Sequence, residues 1–286
     1  MTNGRPMPSE PPTPFWKAER AGTTHGDGQL GGAACRLRLV SIPVSHYCEK
    51  ARWALERAGL PYEELRHVQL FHYAATFWYA RSAYAPALLT PAGAITDSTA
   101  ILRYVDLLVD APLFPREAAA HAQVSELEEL FDRVVGVESR RWLYRAGFEH
   151  LGGERMVAMA AQGTPAWQAP AARVLAPFAR WFLHKRLDIG EARVERGLEQ
   201  LWDVFERVGQ LLRDGRRYLT GDQFTAADLS FAALSALVLM PPEYGVRLAA
   251  LDELPAAMRA VVERFRETHA GEFALRLYAQ ERRIRV

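Results

Sequence analysis

Strand signals end at the two prolines of "DAPLFPRE", residues 110–117. Upstream, short runs with alternating polarity are interleaved with helical segments. Beyond Arg116 every periodic segment has helical spacing. A chain that changes period in this way is expected to fold as an α/β unit joined to an all-α unit. Its 286 residues suffice for two ordinary domains. Composition and period divide them into a disordered extension over 1–34, rich in Pro, Gly and Thr, an α/β domain over 35–110 and an all-helical domain over 111–286.

In the α/β part, "RLRLVSI" alternates as a strand does, and a helix is predicted from about Tyr47 to Ala58. Ala51, Ala54, Leu55 and Ala58 share one face of it, and Gly59 with Pro61 ends it. "YEELRHV" reads as a second strand, parallel to the first if the helix is a crossover. The aromatic stretch "QLFHYAATFWYARSAY" predicts a short helix in a long connection; it suits a partner surface, but the core or a homodimer contact is the favoured expectation. A hairpin follows, with strands Ala87–Thr90 and Ala94–Thr96 around Pro91-Ala92-Gly93. A helix then starts at Asp97 or Ser98. Further on, Leu198, Leu201, Trp202, Phe205, Val208, Leu211 and Leu212 form the apolar face of a long helix. The segment from Gly152 to Arg186 is helical and unusually long between the main helices.

A net charge of +1 argues against nucleic acid and against an anionic membrane surface. Two cysteines, Cys35 and Cys48, are too few for a disulfide framework and point to a reducing, cytoplasmic setting. The first residues lack the pattern of a signal peptide. The longest apolar run, Leu229–Met240, is too short to span a bilayer and predicts a buried helix.

Four places could carry or support chemistry. In the turn "SHYC", Ser45 stands where a helix begins and Cys48 is three residues on. Helix N-termini favour anions. Ser45 can be a plain N-cap or the donor to a bound thiolate; Cys48 can be a small buried hydrophobe or a reactive thiol. Pro86, directly before a strand, is a strand starter or a cis proline that leaves the backbone of Ala85 free for a peptide-like ligand. Asp97 and Ser98 are an ordinary cap or a site for the two charges of an amino-acid end. Thr225 and Asp228 have capping-box spacing, with Phe224 and Leu229 as the staple, and imply structure only. His46 and Cys48 are too close together, and lack partners, for a metal site.

"SIPVSHYCEKARWALE", "APALL", "TDSTAILRYVD" and "YLTGDQFTAADLSFAAL", in that order, resemble the active-site turn, cis-proline loop, γ-glutamyl motif and capping-box helix of the glutathione transferase superfamily. The resemblance runs from about residue 37 to the C-terminus, where "EFALRLYAQERR" is similar to bacterial members. It implies a thioredoxin-like N-terminal domain followed by an all-α domain, with glutathione as cosubstrate on the first and a small hydrophobic electrophile in the cleft between them. No metal, nucleic acid or membrane is implied, and a homodimer is. Ser45 matches the serine that hydrogen-bonds the glutathione sulfur, although Tyr47 and Cys48 stand in the same turn and remain alternatives. Ala85 and Pro86 match the residues that meet the cysteinyl unit, and Asp97 and Ser98 the pair that holds the γ-glutamyl end. The loop from Val68 to Tyr84 contains no lysine for the glycine carboxylate, which leaves His67, His72 and Arg81 as candidate cations.

The expected activity is glutathione conjugation of the kind used in detoxification. One alternative is glutathione-dependent thiol reduction through Cys48. The other is a non-catalytic binding protein of the same fold.

Overall fold

The computed structural model describes residues 37–282. The extension over 1–34 and Cys35 lie outside them. Four strands form one mixed sheet in the order β2-β1-β3-β4: β1 Leu37–Ser41, β2 Tyr62–Arg66, β3 Ala87–Thr90 and β4 Gly93–Ile95. β1 pairs parallel with β2 and antiparallel with β3, and β3 pairs antiparallel with β4. The parallel pair is joined through helix α1, His46–Arg57, as a crossover requires. Gly59 ends that helix in the left-handed region, at φ 66°. α2 spans His72–Ala80 and α3 spans Ser98–Asp106. The second hairpin strand starts at Gly93, one residue before the position expected from sequence.

The remaining described residues are predominantly helical. They comprise α4 Ala118–Leu130, α5 Gly136–Ala146, α6 Gly152–Ala160, α7 Gln168–Leu187, α8 Glu191–Leu211, α9 Ala226–Leu239, α10 Ala256–Arg266 and α11 His269–Glu281. The amphipathic segment after Arg116 is interrupted by two π-helical turns, Phe131–Val135 and Gly147–Leu151. A π turn accommodates an extra residue without breaking the helix, so a 3.6-residue pattern passes over it unmarked. Every residue of α9 is buried. Asp228 anchors its start by accepting from the backbone N–H groups of Leu219 and Thr225, each at 2.8 Å.

One hydrophobic core joins the sheet to the helices: Leu39, Trp53 and Leu88 belong to the same cluster as Phe131, Phe205 and Phe231. α1 lies at the centre, packed against α3 on one side and α9 on another. Its buried surface is wider than the alanine face suggested. Glu49, Lys50 and Arg52 are also buried, and each is paired, as a buried charge must be. Lys50 Nζ donates to Glu128, to Asp132 Oδ1 at 2.7 Å and to Thr99 Oγ1 at 3.0 Å. Arg52 Nε donates to Glu64 at 2.7 Å, and Glu49 accepts from Arg282 Nε at 2.7 Å and from the Gly245 N–H at 3.2 Å. Burial pushes the Glu64 carboxyl up, but Arg52 and Arg66 outweigh it and hold it below its ordinary value.

Part of the aromatic stretch stays outside the core: Phe77 and Trp78 on α2, and Tyr84 beyond it, are exposed. α2 is one short layer against β1, β3 and β4, and only its His72, Ala75 and Thr76 side is covered. Among the described residues, no helix is long and apolar enough to cross a membrane.

Breaking a buried charge cluster leaves its partners uncompensated. Lys50→Met is therefore expected to destabilise the fold by about 3–5 kcal/mol in urea unfolding. A cost below about 1 kcal/mol would mean that the cluster behaves like an exposed ion pair.

Candidate functional site

The turn between β1 and α1 opens onto a cavity of about 760 Å³. Ser45 is the N-cap of α1, and its Oγ accepts from the Cys48 N–H at 3.4 Å. A hydroxyl that accepts on a lone pair still has its proton to give, so the cap and the donor functions are compatible in one residue. Ser45, Tyr47, His72 and Ala85 line the cavity together.

Three hydrogen bonds from the helical half hold this turn in place. His46 Nε2 bonds to the Gly136 carbonyl at 2.7 Å, Tyr47 OH donates to the Asp132 carbonyl at 2.8 Å, and Tyr244 OH donates to the Val44 carbonyl at 3.1 Å. Asp132 lies within the first π-helical turn and Gly136 immediately follows it. A wider turn shifts the normal carbonyl pairing, which is why such turns recur where a helix must meet something else. Position 136 also needs glycine: a Cβ there would collide with the Tyr47 hydroxyl.

These bonds place the turn residues in different surroundings. The phenol proton of Tyr47 is committed to Asp132, and burial raises its ionisation far above the ordinary value, with Arg140 offsetting only part. Of the two readings left open for Cys48, its placement matches the small buried hydrophobe. It is completely buried, its Sγ accepts from the Ile42 N–H at 3.4 Å, and it is absent from the cavity wall. Burial raises its pKa, against a smaller opposing effect of Arg52. Its burial and its place off the wall argue against contact with a ligand in the cavity.

The peptide bond between Ala85 and Pro86 is cis. The pairing of β3 with β1 begins at Ala87, so Ala85 stands just before the ladder and faces the cavity, whereas Pro86 is buried behind it. Asp97 caps α3, accepting from the Ala100 N–H at 2.9 Å, and Ser98 is buried. Neither lines the cavity, but Asp97 is near enough for its charge to act on Tyr47.

Of the three candidate cations, His72 lines the cavity, whereas His67 and Arg81 do not. Burial, followed by the charge of His67, lowers the His72 pKa to about 4, and a hydrogen bond to the Ala83 backbone offsets only part of this. The imidazole is therefore neutral at pH 7. His67 is likewise lowered by burial, and its Nδ1 meets Gln168 at 2.9 Å. Arg81 ends α2 in the left-handed region, lies 5.6 Å from the Phe77 ring centre and is not in the wall. The cations that do line the cavity are Arg140, Arg173, Arg180 and Arg186, all on the helical side. For the last three, the available signal was a run from Arg155 to Leu187 without one Asp or Glu.

The long segment after Gly152, which has no evident role in the sequence, builds the outer wall. Met156 and Val157 on α6 and Ala176 and Leu183 on α7 line the cavity. α7 is tied to the sheet side where Gln168 Oε1 accepts from the Val68 N–H at 2.8 Å. Among the described residues, no group of His, Cys, Asp and Glu could hold a metal ion.

The model of the glutathione S-transferase N-terminal domain matches residues 39–112, and that of the C-terminal domain matches residues 191–264. Together they cover just over half of the chain. The chain belongs to the glutathione S-transferase superfamily. Solved structures agree at the level of fold. A glutathione S-transferase from Rhodospirillum rubrum is 21% identical at a TM-score of 0.52, over 86% of this chain and 99% of that one. FzlA from C. crescentus is 19% identical at 0.52, over 86% and 99%. Gtt2 from Saccharomyces cerevisiae is 16% identical at 0.51, over 83% and 100%. No curated protein matches the sequence. In this superfamily member, residues 113–190, including most of the helical wall of the cavity, fall between the two matched stretches.

His46 supplies a pH test of the turn. Its pKa is lowered to about 3, first by burial and then by Arg140, despite the bond to Gly136. The unfolded chain holds more protons at this site between about pH 6.5 and 3, so the stability His46 contributes is complete above that window. It is lost on acidification at about 1.4 kcal/mol per unit. Asp228, pushed up to about 6 by burial, acts in the opposite sense in mild acid, so global stability mixes the two. The His46 ring resonances in NMR are expected to keep their neutral shifts from about pH 8 down to about 5. A midpoint near 6.5 would show a ring open to water.

Proposed function

We propose that the protein is a glutathione transferase in which Ser45 stabilises the glutathione thiolate for attack on an electrophilic carbon. The observation that carries this reading is the Ser45 hydroxyl. It opens onto the cavity at the N-terminus of α1, with its acceptor side occupied by the Cys48 N–H. Superfamily membership supports glutathione as the thiol. The Ala85 backbone would pair with its cysteinyl unit, and Asp97 and Ser98 at the start of α3 would hold its γ-glutamyl end. The electrophile would lie against the apolar helical wall.

The energies are sufficient. A hydrogen bond to a charged group contributes about 1.5–3 kcal/mol, equivalent to about one to two pKa units. A thiol with a free pKa near ~8.5 would then be substantially ionised at neutral pH. The thiolate lone pair forms the carbon–sulfur bond. In a displacement the leaving group departs with its bonding pair; in an addition the π pair of the acceptor takes up a proton from solvent. Reduction through Cys48 is not favoured, because that thiol is buried and protonated. The exposed Phe77, Trp78 and Tyr84 are compatible with the homodimer contact expected from the sequence.

Steady-state conjugation to a neutral aryl halide tests the proposal. Ser45→Ala is expected to lower kcat/KM by about 10²–10³-fold, the effect of removing one preorganised donor. Cys48→Ala is expected to stay near wild type. Loss of activity in Cys48→Ala with retention in Ser45→Ala would reverse the assignment, and absence of any conjugation in wild type would leave a binding protein with this fold.

A further inference from the structure

The helical wall of the cavity carries positive charge with no acid to balance it. Among the described residues that line it there is no Asp or Glu, whereas four arginines reach it. Three of these are accounted for. Arg173 Nε binds Glu154 at 2.9 Å, and Arg180 and Arg186 occupy exposed positions on α7, where water and salt screen them.

Arg140 is different. It is half-buried, its Nε is sealed from solvent without a hydrogen-bond partner, and no ion pair ties it to a carboxylate among the described residues. Its guanidinium lies 5.7 Å from the ring centre of Tyr47, beside the turn that carries Ser45. Closed to water, Nε is closed to a ligand atom as well; what the cavity meets is the rest of a guanidinium that has no carboxylate counter-ion among the described residues, and an anion in the cavity would supply one.

The surroundings indicate what that ligand is. Leu143 and Tyr144, three and four residues further along α5, share the face of Arg140 and line the same cavity. The Tyr144 phenol is pushed up to about 12 by burial, so it is a neutral donor. Phe148, Met156 and Leu183 complete an apolar wall. All of these residues fall in 113–190, between the stretches matched by the family models.

We propose that the second substrate is an apolar electrophile bearing a carboxylate, which Arg140 binds in a charge-assisted pair with the Tyr144 hydroxyl beside it. The word electrophile rests on the transferase reading; the carboxylate site does not. Arg140 belongs to the helical wall and not to the Ala85 side, which assigns it to the second substrate and not to a carboxylate of glutathione.

The test uses an aryl enone carrying a remote para-carboxylate and its methyl ester, equally reactive at the attacked carbon. Wild type is expected to favour the acid in kcat/KM by about 10–100-fold, the range of one charge-assisted hydrogen bond. Arg140→Leu should remove that preference while leaving the ester and the glutathione Kd near wild type, and Arg140→Lys should restore part of it. A preference for the ester, an equal fall for both compounds or a fall confined to glutathione affinity would overturn the proposal. Calorimetric titration of the saturated, unreactive acid and ester without glutathione reads the site directly. Equal affinities in wild type would overturn it whatever the activity. Tighter binding of the acid, lost in Arg140→Leu, would support it even if glutathione fails to bind, an outcome that would contradict the transferase reading alone.

Discussion

The structure depends on charges buried in α1. A helix that begins at the candidate active-site turn must be held firmly, and apolar packing from its alanine face would leave its other sides free. Instead Glu49, Lys50 and Arg52 are enclosed, each engaged by residues from elsewhere in the chain. Lys50 reaches the π-helical turn through Asp132, and Glu49 reaches Gly245 and Arg282. Moving the helical half away from α1 would expose or unpair these groups at a cost of several kcal/mol per ion. The sheet and the helices thus share both one core and one set of ion pairs, and the turn preceding α1 inherits their rigidity.

Under the proposed function that rigidity has a chemical use. An electrostatic donor is effective when it is already aimed before charge develops. Ser45 is flanked by Val44, His46 and Tyr47, and all three neighbours are bonded to the helical half. In that proposal His46 and Tyr47 take no part: burial holds the His46 pKa low, and the Tyr47 hydroxyl donates to the Asp132 carbonyl. Among these turn residues, the serine hydroxyl is the group whose proton is still available to the cavity.

Local features were legible in the sequence. The strand-turn-helix around Ser45, the hairpin after Pro86, the Asp97 cap and the capping box of Thr225 and Asp228 depend on residues within a few positions of one another, and all were found. Long-range features were not. Glu49, Lys50 and Arg52 read as the polar side of an amphipathic helix, because Glu128, Asp132 and Arg282 are 78, 82 and 233 residues from their partners. His72 looked like a cation because burial leaves no mark on a residue letter. Cys48 stood in the right turn but on the inner side of the helix, a difference of a single step in the 3.6-residue period. The role of the segment after Gly152 needed the fold: only when α7 is seen against Val68 does it become the wall of the cavity.

The most direct test of the account is the ultraviolet thiolate absorbance of bound glutathione, titrated with pH in wild type and in Ser45→Ala. The account predicts a thiolate band at neutral pH in wild type, with its midpoint shifted about one to two units upward in the variant. A band that persists with an unchanged midpoint in Ser45→Ala would contradict it, because the thiolate would then be stabilised without the one hydroxyl the turn presents.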